Sequence, residues 1–285
     1  MTNVSLDLSS KVPKEEVDVI RRVVRTATNL GITNLFIVGA QARDLILQYA
    51  YDVPVHRATN DIDFGIVVET WEEFAHLRDN LIGNDGFHAY PHQQQRLIHQ
   101  GGAIIDLVPF GNLERTKGLI AWPPDFAIEM STVGFREAYA SSINVRLAND
   151  LVVKVASLAG LALLKIVAWS NRRFERDAQD FGLIMRNYLD AGNSGRVYDV
   201  DGDCVDLLNE EFDYEMASAR ILGRDMSRIL TEETHLVVER WLSEETNRQA
   251  QTFLAALVRN KGNYHGDSDI ALKMLEELSQ GLSDG

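Results

Sequence analysis

The sequence predicts an α+β (α/β) first half followed by a mostly helical second half. Up to about Asp150, short β-branched runs alternate with amphipathic stretches. Beyond that point strand signals nearly vanish and helical periodicity takes over. A chain of 285 residues also suits about two domains of ~100–200 residues each. The expected division is therefore 1–150 and 151–285, with the boundary between Asn144 and Lys154 and no internal repeat on either side.

Lys14 to Leu30 sets Val17, Ile20, Val23, Val24 and Ala27 on one helical face, and Gly31 stops that helix. Leu35 to Val38 is a short buried strand. Gly39 turns the chain into a second helix, about Gln41 to Tyr51. Asn60 to Val68 reads as a strand, Trp71 to Ile82 as a helix and Gly83 to Gly86 as a turn. Arg96 to Gln100 and Ala103 to Val108 are strands joined by a hairpin at Gly101-Gly102. Helices are expected over Lys154 to Asn171, Phe174 to Leu189, Val205 to Ile221, Thr231 to Arg259 (with a break) and Asp269 to Leu282. A polar loop, Gly192 to Gly202, separates the second and third of these.

The composition is that of a globular protein, 45% hydrophobic and 25% charged. With 28 Lys and Arg against 42 Asp and Glu, the net charge is −14. The surface as a whole cannot act as a polycation, so any nucleic-acid contact must use a confined basic patch. The one cysteine, Cys204, rules out an internal disulfide framework and a Cys-rich zinc site. No run approaches ~18 apolar residues and the N-terminus lacks a signal-peptide pattern. The expectation is a cytoplasmic protein with no membrane partner.

The clearest chemistry lies in FIVGAQARDLI followed by NDIDF. Asp61 and Asp63 flank Ile62 on a strand, so both carboxylates project from one face while Ile62 points inward. Hard oxygen donors at that spacing suit Mg²⁺, which keeps waters and substrate phosphates in its remaining positions. An acidic strand entrance facing water has the same spacing. Strand, Gly39 and helix form a phosphate-cradling arrangement, because glycine admits close backbone approach and helix N-terminal amides bind anions. A plain tight turn also fits. Asp106 lies in a later apolar strand and shares a face with Ile104 and Val108, where an unpaired carboxylate is costly. Capping a neighbouring loop would also place it there.

Taken together, a glycine turn, two alternating acids and a third acid on a later strand resemble the nucleotidyltransferase superfamily. That group includes poly(A) polymerases, CCA-adding enzymes and minimal bacterial nucleotidyltransferases. VGAQARD before NDIDF resembles the VGG-x-x-RD…D-x-D region of the CCA-adding group. LLKIVAWSNRRFERDAQDF resembles the Lys…Arg…Arg-Asp-x-x-Asp segment of abortive-infection and toxin-type members. Together with VRLANDLVVKVASLAGLALLK, VPFG, IAWPPD and FDYEMASARILGRD, the likeness extends over about residues 20 to 230. It implies a nucleotidyltransferase-like mixed sheet with flanking helices, and a helical domain that completes the active site. The phosphate turn departs from the Gly-Ser or Gly-Gly of many members: it is Gly39-Ala40, with backbone amides but no hydroxyl.

In Ser157 to Trp169 the helix is apolar almost all round, and Lys165 is its one charge. A buried ammonium needs an anion, whereas snorkelling to the surface would remove that need. Arg172 falls two turns after Lys165. Arg173 is four before Asp177, the spacing of a helical ion pair, and Asp177 and Asp180 are three apart on one face. The resemblance gives Lys165 a triphosphate contact. It also implies that Arg43, Arg173, Asp177 and Asp180 help bind the nucleotide, the acids by holding Lys165 or an arginine. His56, His76, His88, His92 and His99 have no metal-ligand period. Arg21, Arg22 and Arg25 read as a solvated helix face or a basic rim.

The implied chemistry is nucleotidyl transfer from an NTP such as ATP. Two Mg²⁺ ions, with Mn²⁺ as a substitute, would sit on Asp61, Asp63 and Asp106, and Lys165 would neutralise the leaving pyrophosphate. The resemblance points to a tRNA 3′ end as acceptor, in a toxin–antitoxin or phage-defence role with a cognate antitoxin. A protein or a small molecule such as an aminoglycoside is the alternative acceptor. A non-catalytic nucleotide-binding interaction protein is the alternative of a different class.

Overall fold

The computed structural model describes residues 4–55, 61–115, 118–197, 213–246, 252–258 and 268–284. His56, Asn60, Gly202, Cys204, Val205, Phe212 and Arg259, named above, lie outside them. The chain divides into two compact units, Met1–Leu45 with Arg57–Ser157, and Ile46–His56 with Leu158–Gly285.

In the first unit, β1 (Leu6–Asp7) precedes α1 (Lys14–Asn29), β2 (Leu35–Val38) and α2 (Gly39–Asp44). Then come β3 (Asp61–Val68), α3 (Trp71–Asn84), β4 (Phe87–Tyr90), β5 (Gln93–His99) and β6 (Ile104–Gly111). The hairpin β7 (Leu119–Trp122) and β8 (Ile128–Ser131) forms a separate two-stranded sheet, followed by α4 (Phe135–Ala140), β9 (Ile143–Ala148) and β10 (Leu151–Val155). The main sheet has the order β1-β9-β10-β2-β3-β6-β5-β4. It is mixed: β2 runs antiparallel to β3, β3 parallel to β6, and β6 antiparallel to β5. All four side chains of β2 are buried, as a central strand requires. α1 buries Val17, Ile20, Val23 and Ala27, the stripe set by its sequence period, and packs against α3.

The second unit is helical. A π-helical segment, Leu45–Ala50, continues directly from α2 and leads into this unit. α5 (Leu158–Arg172) and α6 (Glu175–Arg186) pack together; a π-helical turn (Leu189–Asn193) and a 3₁₀ turn (Ser194–Val197) follow. α7 (Tyr214–Ser227), α8 (Glu232–Glu245), α9 (Thr252–Val258) and α10 (Ser268–Asp284) complete the described helices. Trp169, Trp241, Phe181 and Phe253 stack edge-on in the core. α7 and α10 cross closely because Gly223 and Gly281 carry no side chain; a Cβ on Gly281 would lie 2.0 Å from the Arg220 carbonyl.

Several expectations change. The helix expected from Lys154 begins at Leu158, and Lys154 lies on β10, paired in register with Asn144 of β9. Residues 151–155 alternate buried and half-buried, a strand period that merges with the apolar run of α5 in the sequence. β10 thus belongs to the first unit's sheet, past residue 150. α3 runs through Gly83 to Asn84, so the turn there is shorter than expected. Part of the expected loop after Gly192 is the 3₁₀ turn over Ser194–Val197. β1, β4, β7, β8, α4 and β9 are elements that the sequence reading does not place. Among the described residues, no helix is long and apolar enough to cross a membrane.

Candidate active site

β3 alternates as its sequence requires: Ile62 and Phe64 are buried, while Asp61 and Asp63 are half-buried on the other face. Asp63 is opposite Asp106 of β6 and opposite Val38, the last residue of β2. Directly opposed residues share a sheet face, so Asp61, Asp63 and Asp106 all project from one side. On the far side of β6, Asp106 is in register with Arg96 of β5.

Arg96 is the site residue that the sequence reading does not single out. Its Nε donates to Asp106 Oδ1 at 2.8 Å and one Nη donates to Oδ2 at 2.5 Å, a bidentate pair. The same Nη lies 3.4 Å from Asp61 Oδ2. The hydrogen bond to Asp106, outweighing partial burial, and the charges of Asp106, Asp61 and Asp63 raise the guanidinium's pKa further. Its planar group lies over the Tyr90 ring, 5.8 Å from the centroid. A signal for it was present. His99 N–H donates to Ala103 carbonyl at 2.8 Å across the Gly101-Gly102 turn. Counting three residues out from each of these pairs Arg96 with Asp106.

Gly39 closes the site from the side of β2. Its φ of +69° is in the left-handed region, and a Cβ there would lie 1.9 Å from Asp63 Oδ2. The Asp63 carboxylate is therefore seated against the glycine, in space that a Cβ would fill. Ala40 follows as the second residue of α2 and is buried. Arg43, expected to help bind the nucleotide, has a buried guanidinium with Nε 2.7 Å from the Asp44 carboxylate.

The donor chemistry fits a hard divalent cation: the face carries carboxylates, the glycine leaves a cradle, and a guanidinium already acts as a cation between two of the acids. Among the described residues, no three His, Cys, Asp or Glu side chains are grouped to hold a metal ion by themselves. The cation that Asp61 and Asp106 share is Arg96. His76, His88, His92 and His99 join no such group either. Arg21 pairs with Asp18 and Asp150, and Arg25 and Arg22 with Asp85, so these part-exposed arginines form an ion-paired helix face.

In the second unit, Lys165 has a side chain only 12% exposed and bonds Asp180 at 2.6 Å and Asp177 at 3.3 Å. Both acids thus hold the lysine, and it does not snorkel. α5 persists to Arg172, whose guanidinium grips Asp177 with two hydrogen bonds of 2.7 Å. Burial pushes the Asp177 carboxyl up, but the Arg172 hydrogen bonds and the charges of Lys165 and Arg172 prevail and hold it below its usual value. The expected helical pair of Arg173 with Asp177 does not form. Arg173 has φ of +53° between α5 and α6, which turns it instead to Glu244 at 3.0 Å and to Glu245. Arg176 makes no ion pair among the described residues and lies 5.2 Å from the exposed Phe174 ring centroid.

Residues 45–284 match the family described as nucleotidyl transferase AbiEii toxin, type IV TA system. Among solved structures, the chain is similar to the antibiotic-resistance factor ANT(2″)-Ia at 14% identity and a TM-score of 0.37. That alignment covers 81% of this chain and 94% of the other. A second is an antigenic nucleotidyltransferase-like protein from Paracoccidioides brasiliensis, at 14% identity and a TM-score of 0.42, covering 91% and 99%. None of the curated proteins matches the chain.

Proposed function

The chain belongs to the AbiEii nucleotidyltransferase toxin family of type IV toxin–antitoxin systems, and from that premise we propose that it transfers a nucleoside monophosphate from an NTP to a tRNA 3′ end. A cognate antitoxin is implied by the family. The observation that carries the reading is the single sheet face on which Asp61, Asp63 and Asp106 meet the Gly39 turn.

In this proposal Asp61 and Asp63, with Asp106, hold Mg²⁺ or Mn²⁺. When bound, the metal supplies charge neutralisation on the phosphates. The backbone at Gly39 and Ala40 receives the phosphate tail, with no hydroxyl from Ala40 to add a further bond. Asp106 accepts the proton of the acceptor hydroxyl. The role proposed for Lys165 is to neutralise the leaving pyrophosphate. Asp177 and Asp180 fix its ammonium. Such catalysis is positioning and charge neutralisation rather than covalent chemistry.

A protein or small-molecule acceptor is the second reading. The net charge of −14 favours it, as do the carboxylates already bound to Arg172 and Arg173. One assay separates the two: labelled NTPs, each tested with Mg²⁺, total cellular RNA and total protein. Label in the tRNA band supports the first reading, and label in protein alone supports the second. Label in neither, with the acids intact, overturns both and leaves a nucleotide-binding role.

A further inference from the structure

We propose that Arg96 is a built-in counter-cation that occupies the carboxylate face of β3 and β6 and must release Asp61 and Asp106 before a divalent metal loads. The inference rests on the metal-site reading above and adds to it a residue that competes for the site. Two acids in cross-strand register, Asp63 and Asp106, with Asp61 on the same face, place three negative charges where they repel. A guanidinium in register on β5 answers that repulsion, and it does so with a fork that matches one carboxylate and an Nη that reaches a second.

The arrangement has the form of a latch rather than a fixed strut. Arg96 is on β5, beside the sheet-edge strand β4, and its side chain is 25% exposed, so the guanidinium has a route away from the acids. The Tyr90 ring on β4, 5.8 Å from the guanidinium, is a cation–π partner that it already holds beside the acids. Asp106 is 13% exposed and Asp61 40%. The bidentate end of the contact is therefore the better shielded, and breaking it is the larger barrier to loading.

A competitor that has to be displaced lowers the apparent affinity of what displaces it. Arg96→Met keeps an unbranched apolar stem and removes the charge. Mn²⁺ titrated into the full chain without nucleotide, followed by electron paramagnetic resonance, is expected to bind this variant about tenfold or more tightly than wild type. In melting experiments Arg96→Met should be less stable than wild type in EDTA, and Mg²⁺ should close that gap. A merely structural arginine would lower both melting temperatures equally. Arg96→Lys, which keeps charge but loses the fork, should fall between the two and serves if Arg96→Met does not fold. Equal Mn²⁺ affinity in wild type and variant, abolished in both by Asp63→Asn, would overturn the role of Arg96 and leave the metal site standing. No Mn²⁺ binding by either folded protein would overturn the metal site, and this inference with it.

Discussion

The sheet cluster around Arg96 and the helical cluster around Lys165 each gather carboxylates about cations, yet they differ in burial. On the sheet, Asp61, Asp63 and Asp106 face one guanidinium, and Asp61 remains 40% exposed. Between α5 and α6, Asp177 and Asp180 face Lys165 and Arg172, and Asp177 is fully buried. The first set is the more open, which suits a site that recruits a cation. The second holds its two acids and Lys165 almost wholly buried, which suits a clamp that fixes one lysine.

The largest expected effect tests the open cluster. Changing Asp61 and Asp63 together to Asn should reduce nucleotidyl transfer about 10³-fold or more, because both negative charges that would hold a metal against the phosphates are lost. Stability should change little, within about 1 kcal/mol, since half-exposed acids that repel are being neutralised. Transfer assays beside urea melts read both. A large stability loss with transfer retained would reverse the assignment of roles to the two clusters.

The closed cluster should respond in the opposite sense. Asp177→Ala leaves Lys165 and Arg172 with one acid fewer in a buried setting, at a cost of about 3–5 kcal/mol. Urea denaturation measures it. The pH dependence has a defined sign. The folded carboxyl of Asp177 titrates below its ordinary value of 3.8. Its contribution is therefore present above that value and is lost as pH falls through the folded one. Arg172→Met removes the hydrogen bonds that hold the carboxyl down, so acid unfolding should begin at a higher pH than in wild type. An unchanged acid midpoint would mean that Lys165 alone holds Asp177.

Gly39 ties the backbone to the open cluster, and Gly31 supplies the control. Both have positive φ, +69° and +80°, but a Cβ on Gly31 meets nothing within 4 Å whereas one on Gly39 meets Asp63. Each alanine substitution should cost about 1–2 kcal/mol of backbone strain. Only Gly39→Ala should also reduce transfer, and by more than its stability loss explains. Equal activity of the two variants would detach the glycine turn from the site.

Much of this was legible in the sequence. The alternation of Asp61, Ile62 and Asp63 fixes which side chains share a face, and the isolation of Lys165 among apolar residues requires an acidic partner. Arg96 was legible only through hairpin register, a two-strand property that single-strand periodicity does not contain. The misplacement of Lys154 has a local cause: β10 and α5 form one continuous apolar run, divided by Ala156 and Ser157 with no Gly or Pro between them. The pairing of Arg173 was lost for a conformational reason. Helical spacing presumes a continuous helix, and the chain leaves it at that residue.

The smallest expected effect concerns the acceptor. The residues Arg172, Arg173 and Arg176 make a basic segment in an acidic chain, but they are not equivalent. Arg172 is bound to Asp177 and Arg173 to Glu244 and Glu245, so reversing their charge would disturb the fold along with any RNA contact. Arg176 makes no ion pair among the described residues and rests beside the exposed Phe174. Arg176→Ala is therefore the clean test. If RNA is the acceptor, its modification should fall a few-fold, roughly two to five. The salt dependence of RNA binding should lose about one unit of slope, as expected for one lost phosphate contact. Mg²⁺–NTP binding and the melting temperature should not move, because Arg176 holds no carboxylate in either cluster. Unchanged RNA modification and unchanged salt slope would exclude this segment as the acceptor surface. The acceptor would then be sought among proteins or small molecules, for which a net charge of −14 is no obstacle.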